Sequence, residues 1–223
     1  MSRVPVSVDC LALDVFAAAE RSGSDRRFIL GVAGPPAAGK STFSLALCDA
    51  LNRREAGIAA VAPMDGFHRT TADLSRTGEL STKGQPQTFD VEGFATKLRE
   101  LRASSPGTVV GWPTYDRGIH DPVPNGVLFD RQRIVVVEGN YLLLDLPGWS
   151  GIQPLLDMAW YLRADIGEIE RRLGERHIAG GKTPSEASRK IATSDLPNAE
   201  LVARTAERAD LILDSRDGQY FRV

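Results

Sequence analysis

Cysteine is nearly absent. Only Cys10 and Cys48 occur in 223 residues, far apart and without the spacing of a metal knuckle or a redox pair. That excludes a disulfide framework and points to a reducing compartment. An excess of either charge is also lacking: 27 lysines and arginines face 29 aspartates and glutamates, for a net charge of -2. Such a chain has no electrostatic footprint for nucleic acid or an anionic membrane, so its basic clusters serve small anions or solvated surface. Long apolar runs are missing too. No window approaches the roughly 18 uncharged apolar residues of a membrane span. Asp9, Asp14 and Glu20 interrupt the start, where a signal peptide needs an uncharged core. The expectation is a cytoplasmic protein that neither enters a membrane nor binds nucleic acid, with a homodimer left open. No internal repeat or low-complexity linker divides it, and the length suits one α/β domain over 1–223.

What is present alternates. Helical spacing over 10–20 predicts a lead-in helix, "FILGVA" (28–33) a buried strand and 40–54 a helix. "IAAVAP" reads as a second strand, and 66–89 as a polar, irregular loop too long for a mere connector. Asp90 is placed to cap a helix across "VEGFATKLRELRA". "TVVGW" and "RIVVVEG" predict further strands, with "PTYDRGIHDPVPNG" as a turn-rich insertion between them. "MAWYLRA" is another strand, "DIGEIERRLGERHIAGG" a basic helix, and Thr183 to Glu186 a capping box with proline at the first helical position. "ELVARTAERA" predicts a helix leading into the strand "DLILD". Strands alternating with helices argue for a three-layer α/β/α fold with a mainly parallel sheet.

Gly34-Pro-Pro-Ala-Ala-Gly39-Lys40-Ser41 fits G-x-x-x-x-G-K-[ST] between a strand and a helix. A polyanion there needs a concave row of backbone N–H groups at a helix N-terminus. Pro35 and Pro36 have none, so Ala37, Ala38, Gly39, Lys40, Ser41 and Thr42 must supply the donors. Lys40 would reach the β- and γ-phosphates, Ser41 would ligate Mg²⁺, and Thr42 would touch the α-phosphate. The implied ligand is a nucleoside triphosphate, ATP with magnesium.

Asp65 follows the second strand in "VAPMDGFHR", which puts it at the carboxyl edge of the sheet, beside the phosphate loop. A carboxylate there accepts a proton from an attacking hydroxyl or holds magnesium through water, although Asp-Gly is also a common turn pair. Glu138 ends "RIVVVEG", the position of a magnesium-orienting acid, usually aspartate. One loop gathers Tyr115, Asp116, Arg117, His120 and Asp121, suited to hydrogen bonds with a polyhydroxylated substrate. His68 joins this set as a substrate contact; a metal site of His68 and His120 finds no supporting ligand spacing. Arg171, Arg172 and Arg176 lie near one helix face ahead of "HIAGGK", the pattern of a mobile lid (about 165–182) that carries guanidinium groups over transferring phosphates.

Together these segments resemble the uridine kinase, phosphoribulokinase and bacterial pantothenate kinase group of phosphate-loop kinases. "GPPAAGKST", "MDGFH", "GQPQTFD", "PTYDRGIHDP", "VVVEGNYLLL" and the arginine-bearing helix occur in that family's order over roughly 28–215. The resemblance implies transfer of the γ-phosphoryl of ATP to a metabolite hydroxyl, with Asp65 as base and Glu138 near magnesium. It implies Tyr115 and His120 as substrate contacts, Phe89 and Asp90 as an aromatic and an acid against the substrate, and Arg172 and Arg176 as the lid arginines. The likeness extends to small bacterial proteins described as fructose-transport-system kinases, which share "MDGFH" and "EGNYLLL". "MDGFH" resembles the pantothenate kinase version more than the uridine kinase "DSFY" type, while the chain is shorter than bacterial pantothenate kinases, so the acceptor stays open; a sugar or sugar-like polyol is ranked first, then pantothenate, then a nucleoside. A GTPase would need an N-K-x-D segment, and none occurs. A non-catalytic ATP-binding partner of a sugar transport system would keep the phosphate loop but have no use for Asp65. "DLPNA" (195–199) is a candidate for adenine contacts.

Overall fold

Alternation within the apolar runs decides the layers. A computed structural model describes residues 4–223; Met1–Arg3, part of the stretch read above for a signal peptide, lie outside the described residues. The first half of the chain builds β1 (Pro5–Val6), α1 (Val8–Arg21), β2 (Phe28–Ala33), α2 (Lys40–Arg54), β3 (Ala59–Pro63), α3 (Thr71–Thr77) and α4 (Val91–Ala103). After it come β4 (Val110–Asp116), β5 (Asp121–Phe129), β6 (Ile134–Gly139) and β7 (Met158–Ala164). The last part holds α5 (Ile166–Ala179), α6 (Pro184–Lys190), α7 (Leu196–Ala203), β8 (Leu211–Arg216) and β9 (Gln219–Arg222).

The main sheet runs β1-β9-β8-β7-β2-β6-β3. From β8 through β3 every pairing is parallel, and β9 and β1 close one edge antiparallel. Leu30, Val32, Ile134, Val136, Trp160 and Leu162 turn to a core filled by Leu11, Val15, Phe43, Leu47 and Leu51 of α1 and α2. Ile29, Val135, Val137, Ala159 and Tyr161 turn the other way, onto Phe94, Leu98, Leu101 and Val202 of α4 and α7. β2 and β6 are buried on both faces, as interior strands of a parallel sheet are. This is a three-layer α/β/α fold with a mainly parallel sheet.

Caps set the helix starts. The Ser7, Asp90 and Asp165 side chains accept first-turn N–H groups of α1, α4 and α5. The Thr183–Glu186 capping box and Pro184 open α6 as expected. Other expectations need correction. "PTYDRGIHDPVPNG" is not an insertion between strands: most of it is strand, the hairpin of β4 and β5, with only residues 117–120 as the turn. Three prolines suggested irregularity, but a two-stranded ribbon has free edges that need no N–H, and the register shifts between Trp112 and Thr114, around Pro113. Residues 66–89 are not irregular, being built from α3 and short 3₁₀ turns. The helix placed over 200–209 starts earlier, at Leu196, and ends at Ala203; a five-residue π turn, Ile191–Asp195, leads into it.

Candidate active site

The phosphate loop joins buried β2 to α2. Gly34 has φ +151°, and a Cβ there would lie 2.4 Å from the Leu162 carbonyl oxygen of β7, so glycine is required by contact. Gly39 (φ +96°) and Ala37 (φ +60°) are also left-handed. The Ala38 N–H donates to the Pro35 carbonyl at 3.2 Å, which curls the loop. Ser41 and Thr42 are exposed in the first turn of α2. Lys40 is buried, and its Nζ donates to Pro35 O at 2.9 Å and to Asn140 Oδ1 at 2.7 Å. Two of its three donors are thus engaged, and the third remains for an anion. Burial lowers the Lys40 pKa; Glu138 and Asp65 oppose that shift, and Arg176 adds to it.

Glu138, at the carboxyl end of β6, accepts from Ser41 Oγ at 2.9 Å. Its pKa is raised by burial first and then by the charge of Asp65, with Lys40 and the Ser41 hydrogen bond acting against that rise. Asp65 sits in a 3₁₀ turn, Met64–Phe67, directly after β3. Close packing fixes that turn. A Cβ on Gly66 would lie 2.1 Å from the Pro113 carbonyl oxygen of β4, and Trp112 Nε1 donates to Pro63 O at 3.0 Å. The charge of Asp65 acts on Lys40, Glu138, His68, Tyr115 and Tyr141, and its turn leaves β3 where Pro63 pairs with Glu138.

The wall beyond Asp65 is polar. The His68 ring lies 4.0 Å from Phe89 and 4.8 Å from Tyr115, and its Nδ1 is 2.8 Å from the Asp65 carbonyl oxygen. Burial is the main cause of the lowered His68 pKa, with Lys83 and Arg117 adding to it against Asp65. Tyr115 donates to the His120 carbonyl at 2.7 Å. His120 itself is exposed, with φ +57°. Arg117 is exposed, yet its charge acts on both His68 and Glu138. Phe89 is buried among Tyr141 and Trp149, and the exposed Asp90 spends one carboxylate oxygen on the Gly93 N–H at 2.9 Å. A cavity of about 630 Å³ does bring His68, Phe89 and Asp90 together, but neither Asp65 nor the phosphate loop lines it. Trp112 is fully buried and closed off by Phe67, Phe94 and Phe129, so it offers no face to a base.

Two residues here escaped the sequence reading. Lys83 donates to Thr71 Oγ1 at 2.9 Å and Asp121 Oδ1 at 3.1 Å and lies 5.4 Å from the Tyr115 ring centre. Asn140 holds Lys40. Their signals were the Lys-Gly ahead of "QPQTFD" and the amide two places after Glu138. From the far side, Arg172 Nη1 donates to Ala37 O at 3.2 Å while its Nε holds Glu168 at 2.8 Å, and Arg176 acts on Lys40. Arg171 instead pairs with Glu168 and Glu175 at the surface. Asp195, first of "DLPNA", meets His177 Nε2 at 2.7 Å, and the segment enters α7.

A profile of the phosphoribulokinase / uridine kinase family matches residues 29–219. The chain belongs to that family. Members of the family among its relatives name different acceptors. A "Putative uridine kinase C227.14" of Schizosaccharomyces pombe is 32% identical, with 84% of this chain and 83% of the relative covered. A pantothenate kinase of Streptomyces coelicolor is 32% identical over 88% of this chain and 63% of its own length. The crystal structure of a "putative fructose transport system kinase" from Silicibacter sp. TM1040 superposes with a TM-score of 0.84 at 31% identity, covering 93% of this chain and 98% of that one. Family membership makes the phosphate loop that of a kinase, while three similar identities with three acceptor names leave the acceptor to the site's own chemistry. No helix among the described residues is long and apolar enough to cross a membrane.

Proposed function

We propose that this protein transfers the γ-phosphoryl group of ATP to a hydroxyl of a small metabolite, with a sugar or sugar-like polyol as acceptor. One observation carries the reading: the Asp65 turn leaves β3 where Pro63 pairs with Glu138, beside the end of β2 that bears the phosphate loop, and runs on into His68, whose ring lies 4.8 Å from Tyr115. A carboxylate so placed lies between donor and acceptor.

In the proposed mechanism the amides of 37–42 and Lys40 hold the triphosphate, and Asp65 takes the proton of the acceptor hydroxyl as its oxygen attacks the γ-phosphorus in line. The bond from γ-phosphorus to the β,γ-bridging oxygen breaks and ADP leaves. Ser41 and Glu138, a hydroxyl and a carboxylate 2.9 Å apart, fit a hard cation that also takes phosphate oxygens and water; magnesium held there would offset the triphosphate charge. Residues 165–182 act as the lid. Arg172 and Arg176 face the developing charge, and the Gly180–Gly181 pair, with Gly181 at φ +88°, gives the hinge. Tyr115, Arg117, His120 and His68 supply donors and acceptors to a polyol. A nucleoside base would instead need an open aromatic face, and the large aromatics nearby are packed on one another.

The test is ADP release from purified protein with Mg²⁺ and ATP against a panel of sugars, polyols, pantothenate and nucleosides. A polyol is expected to stimulate turnover. Asp65→Asn is expected to lower transfer by roughly 10²- to 10⁴-fold and leave ATP affinity within about twofold, since geometry survives and basicity does not. Full turnover in that variant would overturn the base, and no stimulation by any acceptor would favour a binding module.

A further inference from the structure

The turn after Glu138 carries two polar side chains that the mechanism above leaves unused. Asn140 Oδ1 accepts from Lys40 Nζ at 2.7 Å. Tyr141, the next residue, donates its hydroxyl to the Gly84 carbonyl at 2.6 Å. The Tyr141 ring is fully buried and stands edge-on to Phe89 at 5.5 Å and Trp149 at 5.2 Å, so its hydroxyl has one direction open. Burial, its largest cause, pushes the phenol's pKa well up and keeps it a donor.

Gly84 follows Lys83, whose ammonium holds Thr71 and Asp121 and lies against the ring of Tyr115. One short turn, residues 140–141, thus ties the phosphate-loop lysine to the polar wall, without passing through Asp65 or Glu138.

We propose that Asn140 and Tyr141 are positioning residues that couple the nucleotide site to the acceptor site: Asn140 aims Lys40, and Tyr141 links that amide to the Lys83–Gly84 turn. Pro35 O and Asn140 Oδ1 take two of the Lys40 donors and so fix the direction of the third. An ammonium drawn toward a polyanion pulls on the amide that holds it, and the turn carries that displacement to Tyr141. Coupling is reciprocal, so an acceptor that orders the wall also favours nucleotide. The proposal rests on the reading of the loop as a nucleotide site.

The experiment is amide hydrogen exchange on the full chain with Mg²⁺ and the non-hydrolysable β,γ-imido analogue of ATP, which needs no knowledge of the acceptor. In wild type the analogue is expected to slow exchange over 34–42 and also over 79–90. Tyr141→Phe keeps the ring and its packing; the response at 34–42 is expected to persist while that at 79–90 disappears. Asn140→Ala is expected to weaken analogue binding roughly tenfold, the order seen for losing a hydrogen bond to a charged group. It should also silence 79–90, and adding Tyr141→Phe should then cost nothing more there. A merely structural tyrosine would loosen 79–90 equally with and without the analogue. Protection at 34–42 but not at 79–90 in wild type overturns the coupling alone, as does an unaltered response in Tyr141→Phe. No protection at 34–42 in wild type overturns the nucleotide reading and the coupling with it.

Discussion

Ala37 carries the phosphate loop through φ +60°, a region where a Cβ crowds the following carbonyl at about 1–2 kcal/mol. Glycine avoids that strain but gives the unfolded chain more freedom, worth about 0.4–1 kcal/mol in the other direction. Ala37→Gly is therefore expected to raise stability by about 0.5–1 kcal/mol in urea unfolding, and Ala37→Val, β-branched at the same φ, to lower it; a destabilised glycine variant would refute the strain. Other single residues were legible for a simple reason. Asp65 and Glu138 follow strands of a parallel sheet, so position along the chain fixed their place in space. Lys83, Asn140 and Arg27 were not. Arg27 is fully buried and donates to carbonyls of Gln132, Ser104, Thr108 and Asp130, contacts made at separations of 77 residues or more that no local pattern encodes.

Elements were readable where period and punctuation agreed. β2, α2 and β7 start and end where the sequence placed them, because each has an apolar rhythm bounded by glycine, proline or a capping residue. The β4–β5 hairpin was misread because its prolines counted as breakers, and β1 and β9 because strands of two and four residues carry too little pattern. What joins elements was hidden altogether. Asp157 stands just ahead of β7, accepts from the Ile29 N–H of β2 at 2.9 Å, and pairs with Arg26 at 2.8 Å and Arg102 at 2.9 Å. Burial alone would raise its pKa, but Arg26, the Ile29 N–H and Arg102 outweigh it and hold the carboxyl below the usual aspartate range. A folded carboxyl with a depressed pKa stabilises fully above the unfolded value, near pH ~3.9, and loses that contribution as pH falls from there through the lower, folded pKa. Asp157→Ala is expected to cost about 1–3 kcal/mol at pH 7, chiefly from the unpaired Ile29 N–H. Urea unfolding of both proteins from pH 7 down to about pH 2 should show the gap hold to near pH ~5 and narrow below it; a gap constant over that whole range would mean the carboxylate's charge contributes nothing.

At the scale of the molecule, one edge of the sheet collects everything the chemistry needs. β2, β3 and β6 are adjacent and parallel, so the phosphate loop, the Asp65 turn and Glu138 leave the sheet side by side although 104 positions separate the first from the last. The α5 helix returns from the neighbouring β7 to lay Arg172 on Ala37. Nucleotide held by this loop, as proposed, would span the ends of several strands and the arginine helix, so its binding energy is expected to appear as global stability rather than as a local effect. With ligand at about 100 times its dissociation constant, linkage adds about 2.7 kcal/mol. For a chain of this size that corresponds to a rise in Tm of about 5–11 °C. Mg²⁺ with ATP is expected to give a shift of that order in a thermal scan, and adenosine, which offers the loop no phosphate, almost none. Lys40→Met keeps much of the buried stem but removes the ammonium, so it should abolish most of the ATP shift while moving the ligand-free Tm far less. If the variant kept the full shift, Lys40 would not hold the nucleotide, and the loop's place at the head of this edge would lose its chemical reason.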